Sequence, residues 1–246
     1  MNEPDGVLPS ARPRRLHSDV VAHIGAKIIG GEYAVGQILP REEEFVEELA
    51  IGRSVVREAL RVLASKGLVE ARPKRGTQVL PKDSWQLLDP DVLGWRAQRG
   101  NSGQFLRDLT DLRAMIEPAA CRLAAERATN TELKLIAALG REMEHTEGDE
   151  LAFIEADMRF HHALLQAAHN DLLVQIGVAI ETGLRLSLEV TVSMGHGARV
   201  SEHAEVAAAI GARAPARARK AMSHLIELGA QDIAAVLGAS WADDKR

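Results

Sequence analysis

The sequence predicts a mainly α-helical protein in two parts: a small basic module over residues 1–82 and an all-helical bundle over 103–240, joined by a linker over 83–102. Three observations predict it. Apolar residues recur at helical spacing along nearly the whole chain, two short β-type runs flank residues 72–76, and charge divides unevenly between the two ends. The 246 residues carry 30 basic and 35 acidic side chains and are 46% apolar, which excludes disordered, collagenous and low-complexity classes. No apolar run approaches the roughly 18 residues of a membrane span, and the polar start through Arg15 lacks a signal-peptide core. The expected location is therefore cytoplasmic, with no membrane partner. A single cysteine, Cys121, excludes an internal disulfide and any multi-cysteine zinc knuckle.

A first helix begins at the periodic set Val20, Val21, Ile24 and Ile28 and stops at Gly30-Gly31. The stretch from Arg41 to Leu49 gathers Phe45, Val46 and Leu49 on one side, as a short second helix. Ala50-Ile51-Gly52 is long enough only for a turn, and a third helix follows from Arg53 to about Lys66. On a wheel of 100° per residue, Val55, Val56, Ala59, Leu60, Val62 and Leu63 fill one half of that helix, and Arg53, Ser54, Arg57, Arg61 and Ser65 fill the other. Two short strands at 68–71 and 77–80 then enclose Arg72-Pro73-Lys74-Arg75-Gly76, a turn dense in cations. This order of elements is a winged helix-turn-helix.

Charge sharpens the reading. Residues 53–82 hold eight basic side chains against two acidic ones in a chain whose net charge is −5. A basic module on an acidic body suits a polyanion such as double-stranded DNA, although a solvated basic face would look similar. Arginines at i, i+4 and i+8 on one helix face can follow a phosphate backbone or reach guanine edges in the major groove. Several blocks occur in order: Gly-x-x-Leu-Pro, Arg-x-x-Val-Arg-Glu-Ala-Leu, Gly-Leu-Val and Arg-Gly-Thr. They resemble the DNA-binding domain of the GntR family of bacterial regulators. The resemblance implies that Arg53 and Arg57 make recognition-helix contacts and that Arg75-Gly76 forms the wing contact. With their neighbours, the candidate DNA-binding set is Arg41, Arg53, Ser54, Arg57, Arg61, Arg75 and Gly76. Gly52 and Arg41 stand where the family usually has small hydroxyl or small residues.

Beyond the linker, which includes a short helix around 92–99, periodic segments cover about 103–128, 131–145, 149–168, 171–193, 199–212 and 215–237, an all-helical bundle. In the helix from Asp149, the apolar face made by Phe153, Ile154, Met158, Phe160, Leu164 and Leu165 also carries Asp157 and His161. His203 sits likewise among Val200, Val206, Ala207 and Ile210. An inward carboxylate needs compensation, and three inward N/O donors can supply a divalent-metal site. A hydrogen-bonded Asp-His pair beside an unrelated core histidine fits the periodicity too. Arg113 occupies the centre of an apolar face with Glu117 one turn away, either as a buried pair or as a clamp for an acidic ligand.

The blocks DLRAMIEPAACRLAAERAT, DMRFHHALLQAAHN and EHAEVAAAI resemble the FCD ligand-binding domain of the FadR subfamily. That resemblance implies a divalent ion (zinc, nickel or manganese) held by Asp157, His161, His203 and His224, although Met222-Ser223-His224 is one residue shorter than the family spacing. It also implies a small carboxylate effector, with Arg113, Glu117 and Arg185 as candidate effector residues. The runs SWQLLDPDVLGW and EPAACRLAAERAT resemble members that answer to a sugar acid such as D-galactonate. The expectation is a homodimeric, non-enzymatic repressor of sugar-acid catabolism genes that leaves a pseudo-palindromic operator when the acid binds. A metal-sensing regulator is the alternative. A metal-dependent enzyme activating water fits the Asp-His pair, but it leaves the basic helix-turn-helix unexplained.

Overall fold

Val20, Val21, Ile24 and Ile28 lie on one face of α1 (Pro13–Ile29), and all four are buried. The computed structural model describes residues 13–99, 102–146, 148–193 and 199–238. Helix α2 (Glu42–Leu49) ends where Ala50 turns left-handed (φ 52°) and its N–H donates to the Val46 carbonyl. Three residues later α3 (Arg53–Ser65) begins. Its Val56, Ala59, Leu60 and Leu63 are buried with Ile24, Phe45 and Leu68 in one core, so the apolar half of the wheel is the packed half. Strands β1 (Val69–Arg72) and β2 (Gly76–Val79) pair antiparallel, Val69 opposite Val79 and Arg72 opposite Gly76. Lys74 and Gly76 turn the wing tip with φ values of 63° and 95°.

The stretch after the wing folds onto this core rather than crossing open solvent. A 3-10 turn (Lys82–Ser84) leads to α4 (Pro90–Arg99), and Trp85, Val92 and Trp95 are buried with the α1 and α3 side chains. Two close approaches hold it. Gly67 (φ +73°) lies so near Ser84 that a Cβ would meet its carbonyl oxygen at 2.1 Å, and a Cβ on Gly25 would meet the Trp95 ring at 2.4 Å. The buried Lys66 ammonium donates to Asp89 at 2.7 Å and pairs with Asp91 at 2.8 Å, which ties the end of the third helix to the start of the fourth.

The chain divides into two compact units, Met1–Gly100 and Asn101–Arg246. The 83–102 stretch expected as a linker thus belongs, through residue 99, to the first unit's packing. Residues 100–101 of that stretch, and 239–240 at the expected end of the bundle, lie outside the described residues.

The second unit is helical: α5 (Ser102–Arg127), α6 (Asn130–Glu144), α7 (Glu150–Ala167), α8 (Asp171–Ser193), α9 (Val200–Gly211) and α10 (Pro215–Leu237). Local chemistry starts these helices. Thr129 and Glu132 form a reciprocal capping box on α6, Asp149 accepts the Ala152 N–H at 3.0 Å to start α7, and Pro215 opens α10. Cys121, Ala124, Ile136, Met143, Phe160, Ile210 and Met222 fill the core. Among the described residues no helix is long and apolar enough to cross a membrane.

Candidate DNA-binding face and candidate metal site

The polar half of α3 is solvent-facing, with Arg53, Ser54, Arg57 and Arg61 all exposed. Its arginines are held by nearby carboxylates: Arg53 pairs with Glu43 at 3.1 Å, Arg57 donates to both oxygens of Glu42 at 3.4 and 3.1 Å, and Arg61 pairs with Glu58 at 3.2 Å. Exposed pairs of this kind are worth little in water, so phosphates can replace the carboxylates at small cost. Arg41 precedes α2, where its N–H donates to the Glu44 carboxylate at 2.6 Å. With Lys74, Arg75 and Gly76 it lines one groove between the wing and the start of α2. The structure therefore places the seven expected residues on exposed elements of the first unit.

The second unit gathers its chemistry inside. Arg113 and Glu117 from α5, Asp157 and His161 from α7 and His203 from α9 meet in its interior. Glu117 is the hub. One of its oxygens accepts from Arg113 Nε at 2.6 Å and the other lies 2.7 Å from His161 Nδ1. Asp157 stands 2.9 Å from His203 Nε2 through Oδ1 and 3.8 Å from His161 Nε2 through Oδ2. Asp157, His161, His203 and Glu117 are each no more than 4% exposed.

Hydrogen-bond chemistry fixes which ring atoms face the centre. The Arg199 carbonyl, 2.8 Å from His203 Nδ1, can only accept, so that nitrogen carries a hydrogen and Nε2 is the ring atom that faces Asp157. Glu117 acts the same way on His161 Nδ1. A carboxylate holding the outer nitrogen while the inner one faces a shared point is the support that metal-binding histidines receive. Ligand atoms of Asp157, His161 and His203 all lie within 4.8 Å of one another. Two atoms that face this centre, Asp157 Oδ2 and His203 Nε2, are buried without an aligned hydrogen bond: the Asp157–His203 contact is close in distance but not in direction. A divalent cation satisfies such a set, so the donors fit a metal.

Protonation agrees with the same geometry. Burial opposes charge on Glu117, but Arg113 and His161 outweigh it and hold its carboxyl well below the usual range. Burial likewise opposes ionising Asp157, and the two histidines draw it below its ordinary value. For His161, burial disfavours the charged ring while Glu117 and Asp157 prevail and raise it. The same two carboxylates that would face a cation thus favour the charged form of the His161 ring.

A cavity of about 60 Å³ opens beside these groups, lined by Arg113, Asp157, His161, His203, Arg199 and Asp232 with Phe153, Leu184, Leu225 and Ile226. Two expected residues are not brought to it. His224 is exposed and lies outside the converging ligand group, because the one-residue-short spacing puts Leu225, not the histidine, on the inward face of α10. Arg185 pairs with Glu155 at 2.8 Å and lines a different groove with Met158, His162 and Glu181. Two residues that sequence reasoning passed over join instead. Arg199 donates to Asp232 through Nε at 3.1 Å and Nη2 at 2.6 Å at the cavity wall. Asp232, seven residues after Leu225 on the buried stripe of α10, was detectable as another inward carboxylate. Arg199 precedes α9 with φ 46°, where helical periodicity gives no signal.

Comparison with known proteins locates both regions. Residues 16–79 match the model for bacterial regulatory proteins of the gntR family, and residues 108–228 match the FCD domain. The galactonate operon transcriptional repressor of Escherichia coli K12 is 39% identical over 172 residues, 70% of this chain and 75% of that one. The Uxu operon transcriptional regulator of the same organism is 36% identical over 66% of this chain and 62% of its own length. The fold is shared with a solved structure described as Lar, which controls the Listeria monocytogenes agr system, at a TM-score of 0.59 and 21% identity over 88% of this chain and 96% of that one.

Proposed function

The chain belongs to the GntR family of bacterial transcriptional regulators that carry an FCD domain, and from that premise we propose that it represses sugar-acid catabolism genes and leaves its operator when a small carboxylate binds. The observation that carries this reading is the single cavity in which Arg113 lies beside the Asp157, His161 and His203 donors. Arg113 holds Glu117 through Nε and Nη2, so its remaining guanidinium N–H groups are the ones that can donate to a carboxylate, and a divalent ion on those donors supplies a second positive partner for the same group. Zinc, nickel or manganese suits two imidazoles and one carboxylate. The names of the galactonate and Uxu operon regulators support a sugar acid such as D-galactonate.

In this reading the first unit binds DNA as half of a cytoplasmic homodimer on a pseudo-palindromic operator. The α3 arginines enter the major groove, while the wing tip and Arg41 meet the backbone. A cavity of about 60 Å³ holds a few waters, so a six-carbon acid has to push the walls of the helical unit apart. An effector can regulate only by favouring one arrangement over the other, and a ligand that must open its own site supplies that difference. The test has two arms. Bound metal is measured in wild type and in His161→Ala, where loss of the ion is expected and normal stoichiometry removes His161 from the site. Sugar acids are then screened by thermal shift on the metal-loaded protein, with gel shift of the DNA upstream of its own gene. A stabilising acid that releases DNA is expected. Stabilisation and release by metal alone would instead make the ion the signal.

A further inference from the structure

The wall of the cavity also carries an ion pair that no metal or carboxylate role has used. Arg199 and Asp232 form two parallel hydrogen bonds, at 3.1 and 2.6 Å, with Asp232 only 8% exposed. Arg199 is fixed twice over: its side chain by Asp232, and its carbonyl by the 2.8 Å bond from His203 Nδ1. The residue that carries the pair's guanidinium is thus also the one whose backbone orients the His203 ring. The pair is also electrically neutral while still offering guanidinium donors and carboxylate acceptors, which is the surface that hydroxyl groups recognise.

Charge balance in the cavity decides what kind of acid fits. With a divalent ion bound, both ligand histidines are neutral. Among the described residues, the two guanidiniums (Arg113, Arg199) and two carboxylates (Asp157, Asp232) of the lining, Glu117 behind Arg113 and the ion together leave one net positive charge. One carboxylate cancels it. A second carboxylate would be buried in excess beside Asp232, and an uncompensated buried charge is strongly penalised. We propose that the Arg199–Asp232 pair makes this cavity selective for sugar monoacids over sugar diacids, with Asp232 rejecting a second carboxylate and the pair reading the hydroxyl chain. The inference rests on the sugar-acid reading above and deepens it to a ligand class.

The test is calorimetric titration of the zinc-loaded full chain with D-galactonate and with D-galactarate, its diacid counterpart, in wild type, Asp232→Asn and Arg199→Gln. Wild type is expected to prefer the monoacid by about tenfold or more, the scale of one like-charge contact in a partly screened site. Asp232→Asn should shrink that ratio to within about threefold, chiefly by gaining the diacid, while Arg199→Gln should widen it. The opposite signs keep the test decisive even where one variant folds poorly, which a thermal melt reports. If D-galactonate binds but the ratio is unmoved in both variants, the selectivity assignment is overturned and the sugar-acid reading survives. If neither acid binds wild type, the sugar-acid reading fails and takes this inference with it.

Discussion

Two arginine–glutamate pairs, one in each unit, show how burial separates residues of identical chemistry. Arg53–Glu43 has both side chains more than half exposed, whereas Arg113 and Glu117 are 13% and 3% exposed. In water the first pair is nearly free to exchange partners, which suits a surface that must trade carboxylates for phosphates. Inside the bundle, the second pair has lost its hydration, and each member depends on the other. The same two residue types thus make a replaceable contact in the DNA-binding unit and a fixed wall in the ligand-binding unit.

Breaking the buried side of this comparison should give the largest effect. Arg113→Met leaves Glu117 with His161 as its remaining named partner, and is expected to cost the helical unit about 3–5 kcal/mol in chemical denaturation. A cost below about 1 kcal/mol would mean that the pair is not the structural hub of the site. On the exposed side, Arg57→Ala should leave the denaturation curve in place. It should weaken operator binding by about tenfold and lower the slope of log affinity against log salt if its contact is to phosphate. Unchanged DNA binding would remove Arg57 from the recognition face.

The buried His161 gives a third way to sharpen the contrast. His161 is raised in the metal-free fold, so its stabilising contribution is full below the ordinary histidine value near 6.5 and is lost as pH rises through the raised value. Metal competes with that proton, so the increase in melting temperature on adding zinc should grow between about pH 6 and pH 8. A zinc effect that is flat in pH would argue against imidazole ligation. The smallest expected effect belongs to Glu43→Gln, which frees Arg53 from its exposed partner and should tighten operator binding by about two- to threefold at low salt, with no change in melting temperature.

Much of this was legible because periodicity reports which face of a helix is buried. The wheel separated Val56, Ala59, Leu60 and Leu63 from Arg53, Arg57 and Arg61, and the structure buries the first group while exposing the second. It also marked Asp157, His161 and His203 as inward polar residues. What it could not carry is which inward residues meet. Glu117 looked like a local partner of Arg113 at i+4, yet it also reaches His161 on another helix, a contact that depends on how α5 packs against α7. Arg199 escaped because it precedes its helix in a left-handed conformation, where no period applies. His224 shows how far one residue matters, since 100° of rotation exchanges an inward ligand for an exposed ring and brings Leu225 to the cavity. The Pro- and Asp-containing stretch after the wing read as a connector, yet Trp85 and Trp95 bury enough apolar surface to fold it against the first unit.

The most direct test of the link between the exposed and the buried arginines is fluorescence anisotropy of a labelled operator held by the zinc-loaded protein while D-galactonate is titrated in, for wild type and Arg113→Met. The expected result is release of DNA from wild type and none from the variant, with both binding the operator equally before acid is added. Equal release from both proteins, or acid binding that leaves the DNA in place, would contradict a signal received by the buried cavity.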